Sequence, residues 1–233
     1  MKIARELRED VYRANMALSE SGLVIGTFGN VSAVDRAAGL FVIKPSGVPY
    51  GALSPDDMVP VSLDTGEVLE GSLRPSSDTP THLALYRAFE CGGIAHTHSE
   101  VATAFAQARL PIRCMGTTHA DYFCTDIPVT RPMTGDEVRL DYELNTGHVI
   151  VERFTELKLD ASRTPGVLVA NHGPFAWGGD PFKAVEHAEM LEFLARLEWR
   201  VRTLAPDVPL PDKYLVDRHF ARKHGPTAYY GQK

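Results

Sequence analysis

Residues 79–107 read TPTHLALYRAFECGGIAHTHSEVATAFAQ, and this stretch decides the fold class. Thr79 and Pro80 form the N-cap and first position of a helix whose apolar residues recur at helical spacing. A short apolar run at 93–98 follows the glycine pair that ends this helix and is typical of a buried strand. Ser99 can then cap another helix. Helix, strand and helix in immediate succession predict an α/β architecture.

The elements alternate in the same way outside this stretch. On the amino-terminal side, an amphipathic helix and then four short β-prone runs are expected, over residues 2–20, 23–32, 40–44, 58–62 and 66–70. On the other side, strands are expected at 112–115, 127–130 and 166–170, and helices at 134–154, 181–204 and 213–224. We therefore expect one domain over residues 1–233, a three-layer α/β/α sandwich around a mixed, mostly antiparallel sheet.

The composition excludes several classes of protein. Of 233 residues, 44% are hydrophobic and 23% are charged, and no apolar run approaches the ~20 residues that cross a bilayer. Twenty-four Lys and Arg against 30 Asp and Glu give a net charge of −6 without a basic cluster, so neither nucleic acid nor a membrane is an expected partner. Cys91, Cys114 and Cys124 form no CxxC pair, which favours a reducing, cytoplasmic location.

Three histidines could ligate a metal ion. His96 and His98 occupy alternate positions of the strand expected at 93–98, so both imidazoles would lie on one face and could reach one ion. The pair alone is a weak signal, because histidines at strand ends are often hydrogen-bonded core residues. His172 strengthens the signal, since it follows another short apolar strand. The three residues together predict a tripodal metal site with a position open for substrate.

Three turns with hydroxyl, glycine or amide groups could bind an anion. Ser76 and Ser77 lie at the amino end of the helix that starts near Thr79, where free N–H groups and the helix dipole attract negative charge. The simpler alternative is that these residues only cap the helix. Asp78 either caps the same helix or faces the cation. The other two turns contain Asn30, Lys44, Ser46 and Gly47, and the three turns together predict one phosphate cradle.

Seven motifs spread over nearly the whole chain resemble the class II aldolase and epimerase superfamily, and within it the family of L-ribulose-5-phosphate 4-epimerases. The motifs are GNVSAVD at 29–35, KPSG at 44–47, PSSDTPTH at 75–82, HTHS at 96–99, GTTHADYF at 116–123, HGPFAWG at 172–178 and YYGQ at 229–232. The resemblance implies a divalent metal, usually zinc with Mn²⁺ or Co²⁺ possible, on His96, His98 and His172. It places Asp78 at the acidic position on the metal.

The same resemblance assigns roles that residue types alone do not. It implies that the substrate phosphate binds the turn residues Asn30, Ser46, Gly47, Ser76 and Ser77, and Lys44 is a further expected substrate-binding residue. It makes Asp121 and Tyr230 the proton-transfer pair. It also implies a homotetramer with sites between subunits, in which accessory residues near the site come from an adjoining subunit; these are Thr117, Glu143, His219 and Arg222.

The expected activity is the interconversion of L-ribulose 5-phosphate and D-xylulose 5-phosphate by cleavage and re-formation of the C3–C4 bond. One alternative is a class II sugar-phosphate aldolase of the fuculose or rhamnulose phosphate type, which releases its fragments. Such aldolases resemble this chain but carry Glu where it has Asp78, so the Asp favours the epimerase. Another alternative is a non-catalytic interaction module like the adducin head domain, which has no reason to keep the histidines. The sequence leaves open whether the enzyme serves arabinose or ascorbate breakdown.

Overall fold

The computed structural model describes residues 4–224 and 228–230. In this part of the chain, six strands form one sheet: β1 (Asn30–Asp35), β2 (Leu40–Ile43), β3 (Val59–Ser62), β4 (Gly93–His96), β5 (Gly166–Leu168) and β6 (Pro174–Gly178). The helices are α1 (Arg5–Glu20), α2 (Thr79–Ala88), α3 (Glu100–Ala108), α4 (Thr117–Ala120), α5 (Gly135–Glu156), α6 (Pro181–Leu204) and α7 (Lys213–Lys223). Positions 2 and 3 of the first predicted helix, and Gly231 and Gln232 of the YYGQ motif, lie outside the described residues.

The strands are ordered β3-β2-β1-β4-β6-β5, and each neighbouring pair is antiparallel. The predicted, mostly antiparallel sheet is therefore confirmed. Within the described ranges, parallel pairing is limited to one isolated bridge between Val129 and Leu168. At the centre, β4 pairs with β1 on one side and with β6 on the other, so Asn30 and Phe175 both lie opposite His96.

Helices cover both faces of the sheet, which confirms the three-layer sandwich. Side chains of a strand point alternately to opposite faces, and β4 shows this directly. Ile94 packs into the core formed with α2 and α5, whereas Ala95 packs into the core formed with α1 and α6. In β6, Phe175 and Ala176 divide in the same way. Small residues on the second face let the long helix α6 lie close to the sheet.

The predicted strand at 23–32 begins only at Asn30. Gly26 and Gly29 have φ angles of +61° and +86°, a left-handed backbone that interrupts an extended chain. A Cβ on Gly29 would lie 3.0 Å from the carbonyl oxygen of His96. This loop therefore depends on glycine for its close approach to the end of β4.

Three other predicted strands are wrong. The runs 66–70, 112–115 and 127–130 make only isolated bridges in the described chain, Val61 to Val68, Ile112 to Ile127 and Val129 to Leu168. A single bridged pair does not extend into a hydrogen-bonded ladder, and the positive φ of Gly66 and Gly71 turns the first run away from β3. Conversely, β6 is a strand that the sequence patterns do not predict.

Helix α5 begins where the capping box predicts, with the Thr134 side chain accepting a hydrogen bond from the Glu137 backbone at 3.3 Å. It contains an unpredicted kink at Asp141, whose φ and ψ are −161° and 82°. The Asp141 carboxylate accepts from the Leu144 backbone N–H at 3.3 Å, as an N-cap does. The second half of α5 thus begins at Tyr142. Among the described helices, none has the length and apolar character that a membrane span requires.

Asn15 fastens α1 to the sheet. Its side-chain amide donates to the carbonyl of Val31 at 2.9 Å and to that of Val11 at 2.8 Å, and its side-chain oxygen accepts the Val31 N–H at 2.9 Å. Asn15 is fully buried. Because Val31 follows Asn30, this contact fixes the start of β1 where that strand meets His96.

Replacing Asn15 by alanine should lower the free energy of unfolding by roughly 2–4 kcal/mol, because two buried polar groups of Val31 lose their partner. Urea denaturation followed by circular dichroism measures this loss. Glu20→Ala, at the exposed end of α1, is the matched control and should change the free energy of unfolding by less than ~0.5 kcal/mol. Equal stability of the two variants would contradict the assignment.

Candidate active site

The sheet brings the three predicted histidines together. His96 is the last residue of β4, His98 follows two positions later, and His172 lies in the tight turn between β5 and β6. Asn171, with φ of 64°, gives this turn its left-handed bend. The imidazole centroids are 4.8–5.0 Å apart, and one potential ligand nitrogen from each ring lies within 4.8 Å of the others. The predicted cluster is confirmed.

Neighbouring groups orient these rings. The Nδ1 of His96 donates to the carbonyl of Pro174 at 2.9 Å, which leaves its Nε2 free to ligate, and the ring stacks on Phe175. His98 stacks on Phe28, with 5.5 Å between the centroids. The Nδ1 of His172 lies 3.2 Å from a phenol oxygen of α5. These orienting contacts are of the kind that metal-ligating histidines make.

Two of the histidines are held in the protonation state that ligation needs. Burial, followed by the neighbouring imidazoles, lowers the pKa of His172 to about 3, and the same causes lower the pKa of His98. A neutral imidazole keeps a lone pair on one nitrogen, so the donor set suits a divalent cation such as zinc. The three residues therefore fit the metal that the motifs imply.

Asp78 lies beside the histidines at the N-cap position of α2, one residue earlier than the predicted cap. Its side chain makes no capping hydrogen bond to the helix. Instead its Oδ2 accepts from the Asn30 side chain at 2.6 Å. The histidine cluster that is tight enough for one ion does not include Asp78 in the described chain, so its role as a fourth ligand stays a prediction.

The histidines and the predicted anion turns line one cavity of about 340 Å³. A bridge between Pro45 and Pro75 ties two of the turns together. Lys44 is almost fully buried with its Nζ 4.8 Å from the ring centroid of Tyr50, and burial lowers the pKa of its amine. The predicted residues in this cavity are Asn30, Lys44, Ser46, Gly47, Ser76, Ser77, Asp78 and Glu143.

Asp121 belongs to a second cluster. Its Oδ1 accepts from Arg222 Nε at 2.9 Å and from His219 Nδ1 at 3.1 Å, and a second hydrogen bond joins its Oδ2 to Arg222. Burial alone would raise the pKa of this carboxyl, but the hydrogen bonds from Arg222 and His219 outweigh burial and lower it. Packing of α4 against α7 creates the cluster, and the Asp121 N–H donates to the carbonyl of Thr117 at 2.9 Å.

Tyr230 joins the same cluster. Its ring lies 4.8 Å from the Arg222 guanidinium carbon and 4.9 Å from the Lys223 amine, as cations lie on an aromatic face. The phenol is 60% exposed. The predicted proton-transfer pair is therefore brought together by shared cationic neighbours.

The predicted site residues thus form two groups within one chain. Among the described residues, none of Thr117, Asp121, His219, Arg222 and Tyr230 lines the histidine cavity. Glu143 does line it within its own chain, after the kink in α5, and its implied placement near the site from an adjoining subunit stays a prediction.

Three residues that the structure brings to these clusters have no assigned role in the sequence predictions. Tyr142 and Phe28 line the histidine cavity, and Lys223 contacts the Asp121 cluster at 3.9 Å from Oδ2. Phe28 directly precedes the GNVSAVD motif, and Tyr142 directly precedes Glu143. Their proximity to matched positions is the signal that could have found them.

Residues 9–199 match the family described as class II aldolase and adducin N-terminal domain. The chain belongs to this family, which confirms the superfamily to which its motifs pointed.

Two relatives carry a more particular name. L-ribulose-5-phosphate 4-epimerase UlaF of Salmonella paratyphi A (strain ATCC 9150 / SARB42) and that of Salmonella typhi are each 54% identical over 230 residues, covering 98% of this chain and 100% of theirs. Among solved structures, an L-fuculose 1-phosphate aldolase superimposes with a TM-score of 0.78 at 26% identity, covering 95% of this chain and 97% of that one. The L-fuculose-1-phosphate aldolase of Thermus thermophilus gives a TM-score of 0.64 at 25% identity, covering 89% of this chain and 100% of that one.

Replacing His96 by asparagine should abolish stoichiometric zinc binding while the fold is retained, because one of three converging ligands is lost. Metal analysis after dialysis against a weak chelator measures bound zinc, and circular dichroism checks the fold. His148→Asn, on the exposed face of α5, is the matched control and should bind zinc as the unaltered chain does. Normal zinc content in His96→Asn would sink the assignment.

Proposed function

We propose that this chain is an L-ribulose-5-phosphate 4-epimerase that interconverts L-ribulose 5-phosphate and D-xylulose 5-phosphate. The observation that carries the proposal is the shared cavity, in which three converging histidines face the phosphate-binding turns. Identity of 54% over 98% of the chain to proteins of that name supports the epimerase over the aldolases, which match at 25–26%.

Inversion at C4 of a ketose phosphate requires cleavage of a carbon–carbon bond. The C4 hydrogen of a 2-ketose is not adjacent to the carbonyl, so simple deprotonation cannot invert C4. Cleavage of the C3–C4 bond instead gives the enediolate of dihydroxyacetone and glycolaldehyde phosphate. Rotation of the aldehyde followed by re-addition to its other face inverts C4 without loss of any atom.

The histidine cluster would hold one divalent cation per subunit on His96, His98 and His172, with Asp78 beside it. We propose zinc, with Mn²⁺ or Co²⁺ as substitutes. When bound, the cation would supply Lewis-acid stabilisation for the negative charge that develops on the ketose oxygens.

The anion turns would keep the aldehyde fragment from leaving while it rotates. Ser46, Ser76 and Ser77 offer hydroxyls, Asn30 offers an amide, and Gly47 leaves its backbone accessible. Lys44 offers a buried amine, and a phosphate beside it would favour the charged form that burial disfavours. Retention of the fragment for re-addition is what an epimerase requires, whereas an aldolase releases it.

Asp121 and Tyr230 would exchange the protons. One of them takes the proton from the C4 hydroxyl as the bond breaks, and the other returns a proton to the new C4 oxygen. Each such transfer contributes about 10²–10⁴-fold to the rate in enzymes. The Arg222 and His219 hydrogen bonds hold Asp121 as a carboxylate, a form that can accept a proton, and they also make it a weaker base.

We further propose a homotetramer in which the Asp121 cluster of one subunit completes the histidine cavity of its neighbour. The division of the site residues into two groups supports this arrangement, because one chain alone separates metal from proton donor. A ring of identical heterologous contacts would complete every site. The single domain over residues 1–233 and the cytoplasmic location stay predictions.

The direct test is incubation of zinc-loaded protein with L-ribulose 5-phosphate. D-xylulose 5-phosphate should appear, and free glycolaldehyde phosphate should not accumulate. Asp121→Asn and Tyr230→Phe should each lower kcat by about 10²–10⁴-fold with zinc content unchanged. Release of both fragments would instead identify an aldolase, and activity of both variants within threefold of the unaltered chain would refute the proton-transfer assignment.

Shared sites predict complementation between inactive chains. Reassembly of a mixture of His98→Asn and Tyr230→Phe subunits should restore activity, because some junctions pair an intact histidine cluster with an intact Tyr230. A mixture of His96→Asn and His98→Asn is the matched control and should stay inactive, since every histidine cluster is then incomplete. Absence of recovery, in particles shown by native mass spectrometry to contain both chains, would show that each subunit builds its own site.

A further inference from the structure

The kink in α5 brings a phenol to the histidine cluster. The Tyr142 hydroxyl oxygen lies 3.2 Å from Nδ1 of His172, with 5.8 Å between the ring centroids. Tyr142 is half-buried and lines the cavity. An uninterrupted helix would carry this residue in a different direction, because the chain at Asp141 departs from helical geometry immediately before it.

Two hydrogen bonds hold the backbone of Tyr142 and of the next residue in place. The Thr146 hydroxyl donates to the Tyr142 carbonyl at 2.9 Å within the second half of α5. The Thr81 hydroxyl of α2 donates to the carbonyl of Glu143 at 2.5 Å. Across the same contact, a Cβ on Gly147 would lie 2.6 Å from the Ala84 side chain, so α5 and α2 are in close contact. The start of the second half-helix is therefore fixed against the rest of the site.

We propose that Tyr142 is a positioning residue: its phenol oxygen accepts the Nδ1–H of His172 and so holds that ring with Nε2 turned to the metal position. The contact parallels that of His96, whose Nδ1 donates to the Pro174 carbonyl. A histidine in a loop has more freedom than one in a strand, and His172 follows the left-handed Asn171. His172 thus needs a side-chain partner where His96 uses the sheet backbone.

This inference rests on the metal-dependent function proposed above, and its test measures metal binding independently of catalysis. Tyr142→Phe removes the phenol oxygen and little else. Its zinc dissociation constant, from competition with a chromogenic chelator, should rise about 10–100-fold, the usual cost of losing a partner of a metal-ligating histidine. Tyr214→Phe, at a 74% exposed position of α7, is the matched control and should bind zinc like the unaltered chain.

Cobalt substitution distinguishes the loss of His172 positioning from a general loss of rigidity at the site. At saturating Co²⁺, the visible d–d absorption of Tyr142→Phe should differ from that of the unaltered chain, because the ligand geometry changes. An unchanged saturated spectrum, or zinc affinity within threefold of the unaltered chain, would overturn the proposal. So would failure of the unaltered chain to bind zinc. Normal zinc binding without epimerase activity would overturn only the proposed function.

Discussion

Antiparallel pairing of β4 with β6 is the constraint on which the site depends. It sets His96 opposite Phe175 and thereby places the turn before β6, which carries His172, at the end of β4. The Pro174 carbonyl that leads into β6 is also the acceptor for His96 Nδ1. A slip of one residue in this register would move His96 to the other face of the sheet and separate it from His172. The hydrogen-bonded ladder therefore brings the histidines to one place.

The two clusters differ in their electrostatics. The histidine cavity contains the neutral imidazoles of His98 and His172, the Asp78 carboxylate, a buried lysine and hydroxyl groups, whereas Asp121 is surrounded by the charged groups of Arg222 and Lys223. The chain as a whole carries a charge of −6, so it does not attract a sugar phosphate through its overall field. In the proposed function, local backbone dipoles and Lys44 would supply that attraction at short range.

Sequence patterns predict the elements whose ends carry side-chain signals. Helix α6 has the predicted bounds because Asp180 caps it, with its carboxylate accepting from the Lys183 backbone at 2.8 Å, and Pro181 occupies its first position. The strand predicted from residue 23 starts late because its glycines can be extended or left-handed, and the close approach of Gly29 to His96 decides between them. A tertiary contact therefore determines the conformation of these glycines, and the local sequence pattern does not predict it.

The candidate site, like the fold, was predicted in part from the sequence. The HTHS and HGP motifs gave the three histidines and the turns gave the cavity wall, since each residue type matches the chemistry of its position. The resemblance implies sites between subunits, but the residue patterns alone do not give the separation of Asp121 and Tyr230 from that cavity, because it depends on how α4 packs against α7. Tyr142 was not predicted either, because it reaches the histidines only where Asp141 interrupts helix α5. In both cases the packing of helices determines which side chains come into contact. The sequence therefore predicts the reacting residues more readily than the residues that position them.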